Sequence, residues 1–217
     1  MNKFVIINGS PKPKDSASSM IIEKIEEFLD IKPIVYQGTR LILQENNSKE
    51  MSDILNSDVL LFVFPLYVDS LPAPIIKVLT MIENEINRNG KNPIVYAITN
   101  CGFLEAEHNR FALDMIENFS TQVDMSWGYG LGIGGGGFIA TQSENMAKGG
   151  PANNIYKALN ELSNAMKNKS SKKENVFVRP KMPLFIYKFM GNLGWYLMAR
   201  KYGAIRSLKA RPYDNKK

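Results

Sequence analysis

The residues with the most obvious chemistry follow the first apolar run of the chain. Gly9–Ser19 (G-S-P-K-P-K-D-S-A-S-S) combines a glycine, two prolines and four serines, a composition that favours a shaped loop leading into a helix. Hydroxyl groups, free backbone N–H groups and a helix N-terminus together bind anions, and Lys12 and Lys14 add positive charge. The segment therefore predicts either a phosphate site or a loop in which Ser18 or Ser19 merely caps the helix. It does not contain the Walker pattern G-x-x-x-x-G-K-[ST].

Two further loops follow later apolar runs. Pro65–Pro74 (P-L-Y-V-D-S-L-P-A-P) is stiffened by prolines and offers Leu66 and Tyr67 to a flat ring. The alternative is that Tyr67 is buried under the next helix. In the second loop, Asn100–Phe103 (N-C-G-F), the glycine permits close backbone approach and the aromatic ring could lie against a ligand. Cys101 has no partner that would make it a nucleophile, so we expect a buried or loop cysteine.

A glycine-rich run, Gly128–Gly137, matches G-x-G-x-x-G twice. These matches arise from low complexity, and no strand–helix–strand unit with a ribose-binding acid follows them. We therefore reject a dinucleotide-binding fingerprint and expect a flexible loop near the ligand.

The elements that must position these loops alternate between short apolar runs and helix-like stretches. The predicted strands are Lys3–Asn8, Pro33–Gln37, Asp58–Phe64, Pro93–Thr99 and Met125–Ile133, with a weaker strand-like run at Arg40–Leu43. The predicted helices are Ser19–Leu29, Ser48–Asn56, Pro72–Glu85, Leu104–Ser120 and Asn154–Lys167. Such alternation predicts an α/β fold with a doubly wound, five-stranded parallel sheet of the flavodoxin-like kind, with ligands at the carboxyl ends of the strands.

Composition narrows the chemistry further. The 217 residues include one cysteine and one histidine, which exclude a disulfide framework and any iron–sulfur or metal site that needs several thiolates or imidazoles. No signal peptide is recognised, so the expected compartment is the cytoplasm. Residues 1–166 carry 13 Lys/Arg and 19 Asp/Glu, whereas residues 167–217 carry 14 Lys/Arg and 2 Asp/Glu. The last quarter is therefore strongly basic and chemically different from the rest.

This basic extension, residues 168–217, is predicted to follow a domain spanning residues 1–167, with Asn168–Asn175 as the linker. Met182–Ala199 is apolar and aromatic, but Lys188, Asn192 and two glycines argue against a membrane span. We expect the extension to form a helix that packs on the body or on a second subunit in a homodimer. The alternative is an interfacial anchor on an anionic membrane, or a lid over the ligand. No nucleic-acid-binding motif accompanies the charge.

Taken together, the three loops resemble those of the NAD(P)H-dependent FMN reductase family of the flavodoxin-like superfamily. The resemblance covers roughly residues 3–165 and rests on G-S-P-K with its serines, on P-L-Y-V-D-S-L-P-A-P-I-I-K and on N-C-G-F-L-E. It implies that FMN is the cofactor and that NADH or NADPH is the co-substrate. The phosphate would be held by Ser10, Lys12 (where the family often has arginine), Ser16, Ala17, Ser18 and Ser19. The flavin ring would be bordered by Pro65, Leu66, Tyr67, Val68 and Asp69 on one side and by Asn100, Cys101, Gly102 and Phe103 on the other.

The resemblance further implies an enzyme that passes electrons from NAD(P)H through FMN to a second small-molecule acceptor such as a flavin or a quinone. The flavin would carry the redox chemistry, so no catalytic side chain and no metal are expected. Two alternatives remain at this point, namely a flavodoxin-type electron carrier without turnover of its own and a binding module without a cofactor.

Overall fold

Six buried or half-buried strands form the centre of the first of two compact units into which the computed structural model divides. The structure describes residues 2–44, 48–86, 92–139, 150–208 and 210. The strands are β1 (Phe4–Asn8), β2 (Ile34–Gln37), β3 (Val59–Pro65), β4 (Ile94–Asn100), β5 (Ser126–Ile133) and β6 (Val176–Val178). Their order in the sheet is β2-β1-β3-β4-β5-β6, and every pairing is parallel. The order reverses between β1 and β3, which makes this the switch point of the sheet.

Helices cover both faces of the sheet. They are α1 (Ala17–Leu29), α2 (Gly38–Leu41), α3 (Ser48–Leu55), α4 (Ala73–Glu85), α5 (Arg110–Gln122), α6 (Gly136–Ile139) and α7 (Asn153–Asn168), with a 3-10 turn at Ala106–Asn109. Because β1 and β3 are enclosed on both sides, they are almost continuously apolar instead of alternating, and residues Phe4–Ile7 and Val59–Phe64 are all buried. The flavodoxin-like α/β prediction is confirmed by this topology.

The sheet has one strand more than the sequence predicts. β6 pairs with β5 through Leu131 and Val176, Gly132 and Phe177, and Ile133 and Val178. A three-residue strand behind a charged stretch gives too short an apolar run to be recognised from the sequence. The first compact unit consequently runs to Pro180, beyond the boundary expected after residue 167, and the second unit is Lys181–Lys217.

The weak strand predicted at Arg40–Leu43 is wrong. The chain forms the short helix α2 there, and the amide of Ile42 donates to the carbonyl of Gly38 (3.2 Å). A helical turn buries Leu41 and leaves Leu43 82% exposed. In a strand, Leu41 and Leu43 would lie on the same face. Because only Leu41 reaches the core, a strand would bury no more apolar surface here than the helical turn does.

The second unit contains α8 (Leu184–Lys201) and a 3-10 turn at Ile205–Ser207. α8 begins directly after Pro183, which is its N-cap residue. No helix in the described part of the chain is long and apolar enough to cross a membrane.

Candidate functional site

The loop between β1 and α1 is closed by serine hydroxyl groups. Ser16 is the N-cap of α1: its Oγ accepts a hydrogen bond from the amide of Ser19 (3.1 Å), and its own amide donates to Oγ of Ser19 (3.0 Å). This reciprocal pair is a capping box, so the cap is Ser16 and not Ser18 or Ser19. The N–H groups of Ala17 and Ser18 lie in the first turn, where no carbonyl of the same helix can accept from them.

The start of the same loop is folded by short-range contacts. Oδ1 of Asn8 accepts from the amide of Ser10 (3.0 Å), and Oγ of Ser10 accepts from the amide of Lys12 (3.2 Å). Nζ of Lys12 donates to the carbonyl of Asp15 (2.8 Å), which holds the ammonium group beside the loop. Gln37 donates its side-chain amide to the carbonyl of Ser10. Sequence reasoning missed Gln37, although its position at the carboxyl end of β2 was a usable signal.

The loop after β3 is a tight two-residue turn. Tyr67 and Ser70 exchange backbone hydrogen bonds of 3.2 and 3.0 Å around Val68 (φ 49°) and Asp69 (φ 53°). Two successive positive φ values define a type I′ turn, which projects Val68 away from the protein until it is 98% exposed. Tyr67 is half-exposed and is not buried under the next helix, so that interpretation is excluded.

Asn100 connects three elements at the floor of the site. Its side-chain Nδ2 donates to Oγ of Ser18 (3.3 Å) on α1 and to the carbonyl of Phe64 (3.2 Å) on β3. Its backbone carbonyl accepts a hydrogen bond from the amide of Leu66 (2.8 Å). The residue is buried. Asn100 thus fixes the first loop and the β3 loop relative to the end of β4.

Cys101 points into the protein and not into the site. Its Sγ lies 3.5 Å from the carbonyl of Phe103 and 3.4 Å from Nδ2 of Asn109, and the residue is 3% exposed. Burial is the largest influence on this thiol and raises its pKa. A buried thiol held in its protonated form is a poor nucleophile, which agrees with the expectation of an inert cysteine.

The glycine run after β5 closes the site from the far side. The amide of Gly136 donates to the carbonyl of Cys101 (2.7 Å), and that of Gly135 donates to the carbonyl of Phe103 (2.6 Å). A Cβ atom at Gly136 would lie 2.8 Å from Oδ1 of Asn100, whereas one at Gly137 would meet nothing within 4 Å. The sequence predicts a flexible loop here, but the chain instead forms a turn and the short helix α6.

These loops enclose one cleft of about 370 Å³ at the carboxyl ends of β1, β3 and β4. This volume lies within the range of small-molecule sites, about 300–1,000 Å³. The cleft is lined by Ser10, Lys12, Ser16, Ala17, Ser18, Pro65, Leu66, Tyr67, Asn100, Gly102, Gly136 and Gly137. Lys12 is the only charged residue among these lining residues, and none of them is acidic.

Five of the residues singled out from the sequence do not line the cleft, namely Ser19, Val68, Asp69, Cys101 and Phe103. The hydroxyl of Ser19 is used in the capping box. The ring of Phe103 packs on His108 with 4.5 Å between ring centroids, and Nδ1 of His108 lies 3.9 Å from Asp69. Gly136 and Gly137 line the cleft but were not singled out individually, because one glycine in a run of ten residues rich in glycine looks like any other.

Comparison with known proteins finds similar folds among solved structures. No protein-family model and no curated protein matches the chain. Among solved structures it is similar to an NADH:FMN oxidoreductase in its apo form (13% identity, TM-score 0.58, covering 80% of this chain and 92% of that one).

Two other solved structures have a similar fold. One is general stress protein 14 from Treponema denticola in complex with FMN (14% identity, TM-score 0.54, covering 74% of this chain and 99% of that one). The other is an NAD(P)H:quinone oxidoreductase from Methanothermobacter marburgensis (14% identity, TM-score 0.55, covering 79% of this chain and 98% of that one). The resemblance inferred from the sequence is therefore confirmed at the level of the fold.

Proposed function

We propose that this chain is an FMN-dependent oxidoreductase that passes electrons from NADH or NADPH through bound FMN to a second small-molecule acceptor, such as a flavin or a quinone. The observation that carries the proposal is the cleft at the switch point, where the β1, β3 and β4 loops converge and the lining residues include one cation and no acid. In flavodoxin-like sheets this edge is where FMN binds. The solved structures that resemble the chain include oxidoreductases named for FMN and quinone.

The lining residues suit the two ends of FMN. Serine hydroxyl groups, the first-turn amides of α1 and the ammonium group of Lys12 can bind a phosphate dianion, because each can donate a hydrogen bond and Lys12 also supplies positive charge. Pro65, Leu66 and Tyr67 present an apolar surface for the ring. Gly102 and Gly137 leave space for close approach, since a Cβ at either position would meet nothing within 4 Å. When bound, FMN would supply the hydride and electron transfer, and these residues would bind and orient it.

The phosphate part of this proposal is tested by changing one of two neighbouring lysines. Lys12→Gln is expected to weaken FMN binding at least about tenfold, because a charge-assisted hydrogen bond contributes about 1.5–3 kcal/mol. Lys14→Gln is the matched control, since Lys14 is exposed and does not line the cleft. Fluorescence titration with FMN and with riboflavin, which lacks the phosphate, should show that Lys12→Gln affects FMN alone. Equal effects of both substitutions on FMN would contradict the assignment of Lys12.

The redox part is tested on the FMN-loaded protein under anaerobic conditions. Addition of NADH or NADPH should bleach the flavin absorbance in a stopped-flow instrument, and addition of a quinone should restore it. Binding of FMN without bleaching by either nucleotide would count instead for an electron carrier. Failure to bind FMN at all would remove the proposal.

A further inference from the structure

The second compact unit carries exposed apolar side chains along the whole of its helix. None of the eighteen residues of α8 is buried. Phe185, Phe189 and Trp195 are 72%, 66% and 70% exposed, and Leu197 is 53% exposed. Soluble surfaces rarely present so much contiguous apolar area, so this helix is built to contact something other than water.

Apolar residues cover the helix on every side. Phe185, Phe189, Leu193 and Leu197 recur at every fourth position along one side, while Trp195 lies towards the opposite side, beside Lys188 and Asn192. Aromatic residues are frequent, and such amphipathic rings are preferred at the boundary between water and lipid. A lysine on an otherwise apolar helix can extend its stem along the apolar surface and keep its ammonium group in water.

The charge around this helix has a single sign. No aspartate or glutamate occurs between Glu174 and Asp214, whereas cations are found on both sides of the helix and within it. Those that the structure describes as exposed in this unit are Lys181, Lys188, Arg200, Lys201 and Arg206. An apolar and aromatic helix flanked by cations complements a surface that is apolar inside and anionic outside.

We propose that the second unit binds the surface of an anionic membrane, with α8 lying in the interfacial layer and its flanking cations on the lipid headgroups. A membrane span is not required, and no described helix is long and apolar enough to form one. The same segment in a second copy of the chain is a poorer partner, since it would bring only like charges together. The inference stands on this unit alone and does not depend on the proposed redox function.

Vesicle binding by the full-length chain tests the proposal. Co-sedimentation with vesicles of phosphatidylcholine alone and with added phosphatidylglycerol should show at least tenfold tighter binding to the anionic ones. Raising the salt concentration should weaken that binding, because attraction to the surface falls off within a Debye length. In a Trp127→Phe background the emission of Trp195 should shift to shorter wavelength on binding.

Three variants separate the apolar and the charged contributions. Phe189→Asp should lower the partition coefficient at least tenfold, whereas Phe111→Asp, which changes an equally exposed phenylalanine on α5, should leave it unchanged. Neutralising Arg200 and Lys201 together should lower the partition coefficient about 25-fold, at about fivefold per cation.

Three results would overturn the proposal. They are an absence of binding to anionic vesicles, equal binding to neutral and anionic vesicles, and a dimer that depends on Phe189 and does not bind vesicles. The last of these would assign the helix to a second copy of the chain.

Discussion

Val68 is a residue whose backbone conformation does not suit its side chain. A β-branched residue with φ of 49° is strained, since its Cβ crowds the backbone in the left-handed region. The strain lies in the turn that carries Tyr67 into the cleft, where a locally unfavourable conformation can persist because the surrounding hydrogen bonds hold it.

Val68→Asn should therefore raise the free energy of unfolding by about 1 kcal/mol, because asparagine adopts this conformation at lower cost. Little burial is lost, since Val68 is 98% exposed. Val68→Ile, which keeps the branched Cβ, is the control and should leave stability unchanged. Urea denaturation of the three proteins measures the differences, and a destabilised Val68→Asn variant would show that the turn is not strained.

Cys101 gives a second prediction for a single residue. Its low exposure and the upward shift of its pKa by burial should make it react with Ellman's reagent at pH 8 at least a hundredfold more slowly in the folded protein than in guanidinium. Rapid stoichiometric reaction of the folded protein would mean that the thiol is accessible and would reopen a role for it in the cleft.

At the scale of elements, Gly136 and Gly137 form a matched pair at the start of α6. Gly136→Ala would place a methyl group 2.8 Å from Oδ1 of Asn100 and 3.1 Å from the carbonyl of Cys101, so we expect a loss of stability of about 1–3 kcal/mol. Gly137→Ala meets nothing within 4 Å and should change stability by less than about 0.5 kcal/mol. Thermal unfolding of both variants measures this, and similar values for the two would contradict the close packing at Gly136.

The sequence predicted the elements better than the contacts between them. The long apolar runs that became β1, β3 and β4 could hardly be anything but buried strands, and their ends identified the cleft-forming loops. Contacts such as the one between Asn100 and Ser18 join residues 82 positions apart, and no local pattern encodes them. Burial of Cys101 was among the expectations from the sequence, but which residues of the loop 100–103 turn towards the cleft could not be predicted.

At the scale of the whole molecule, Tyr96 ties the centre of the sheet to the end of α7. Its hydroxyl donates its one proton to the carbonyl of Ser170 (2.6 Å), and the carbonyl of Ala165 also lies within reach of it (3.1 Å). Burial raises the pKa of Tyr96 to about 12 from 10.0, so the phenol ionises more easily in the unfolded chain than in the folded one. Its stabilising contribution is complete below pH 10 and is lost as the pH rises towards 12.

Between pH 10 and 12, Tyr96 should therefore account for a loss of about 2–3 kcal/mol in the free energy of unfolding. Tyr96→Phe should be less stable than the natural protein at neutral pH, because it lacks the hydroxyl and its hydrogen bond, but should lose less stability over this pH interval. Tyr202→Phe, at an exposed residue of the second unit, is the control. Urea titrations at several pH values measure the slopes, and equal slopes for Tyr96→Phe and the control would contradict the prediction.

The order of the sheet has a consequence for aggregation. The two outermost strands are also short, with four residues in β2 and three in β6, while the seven-residue strands β3 and β4 have neighbours on both sides. A foreign β-strand that docked at either margin would find few unpaired backbone groups to extend, so edge-to-edge polymerisation has little template to start from. The long apolar strands β3 and β4 therefore lie where no incoming strand can reach them without first unfolding the sheet.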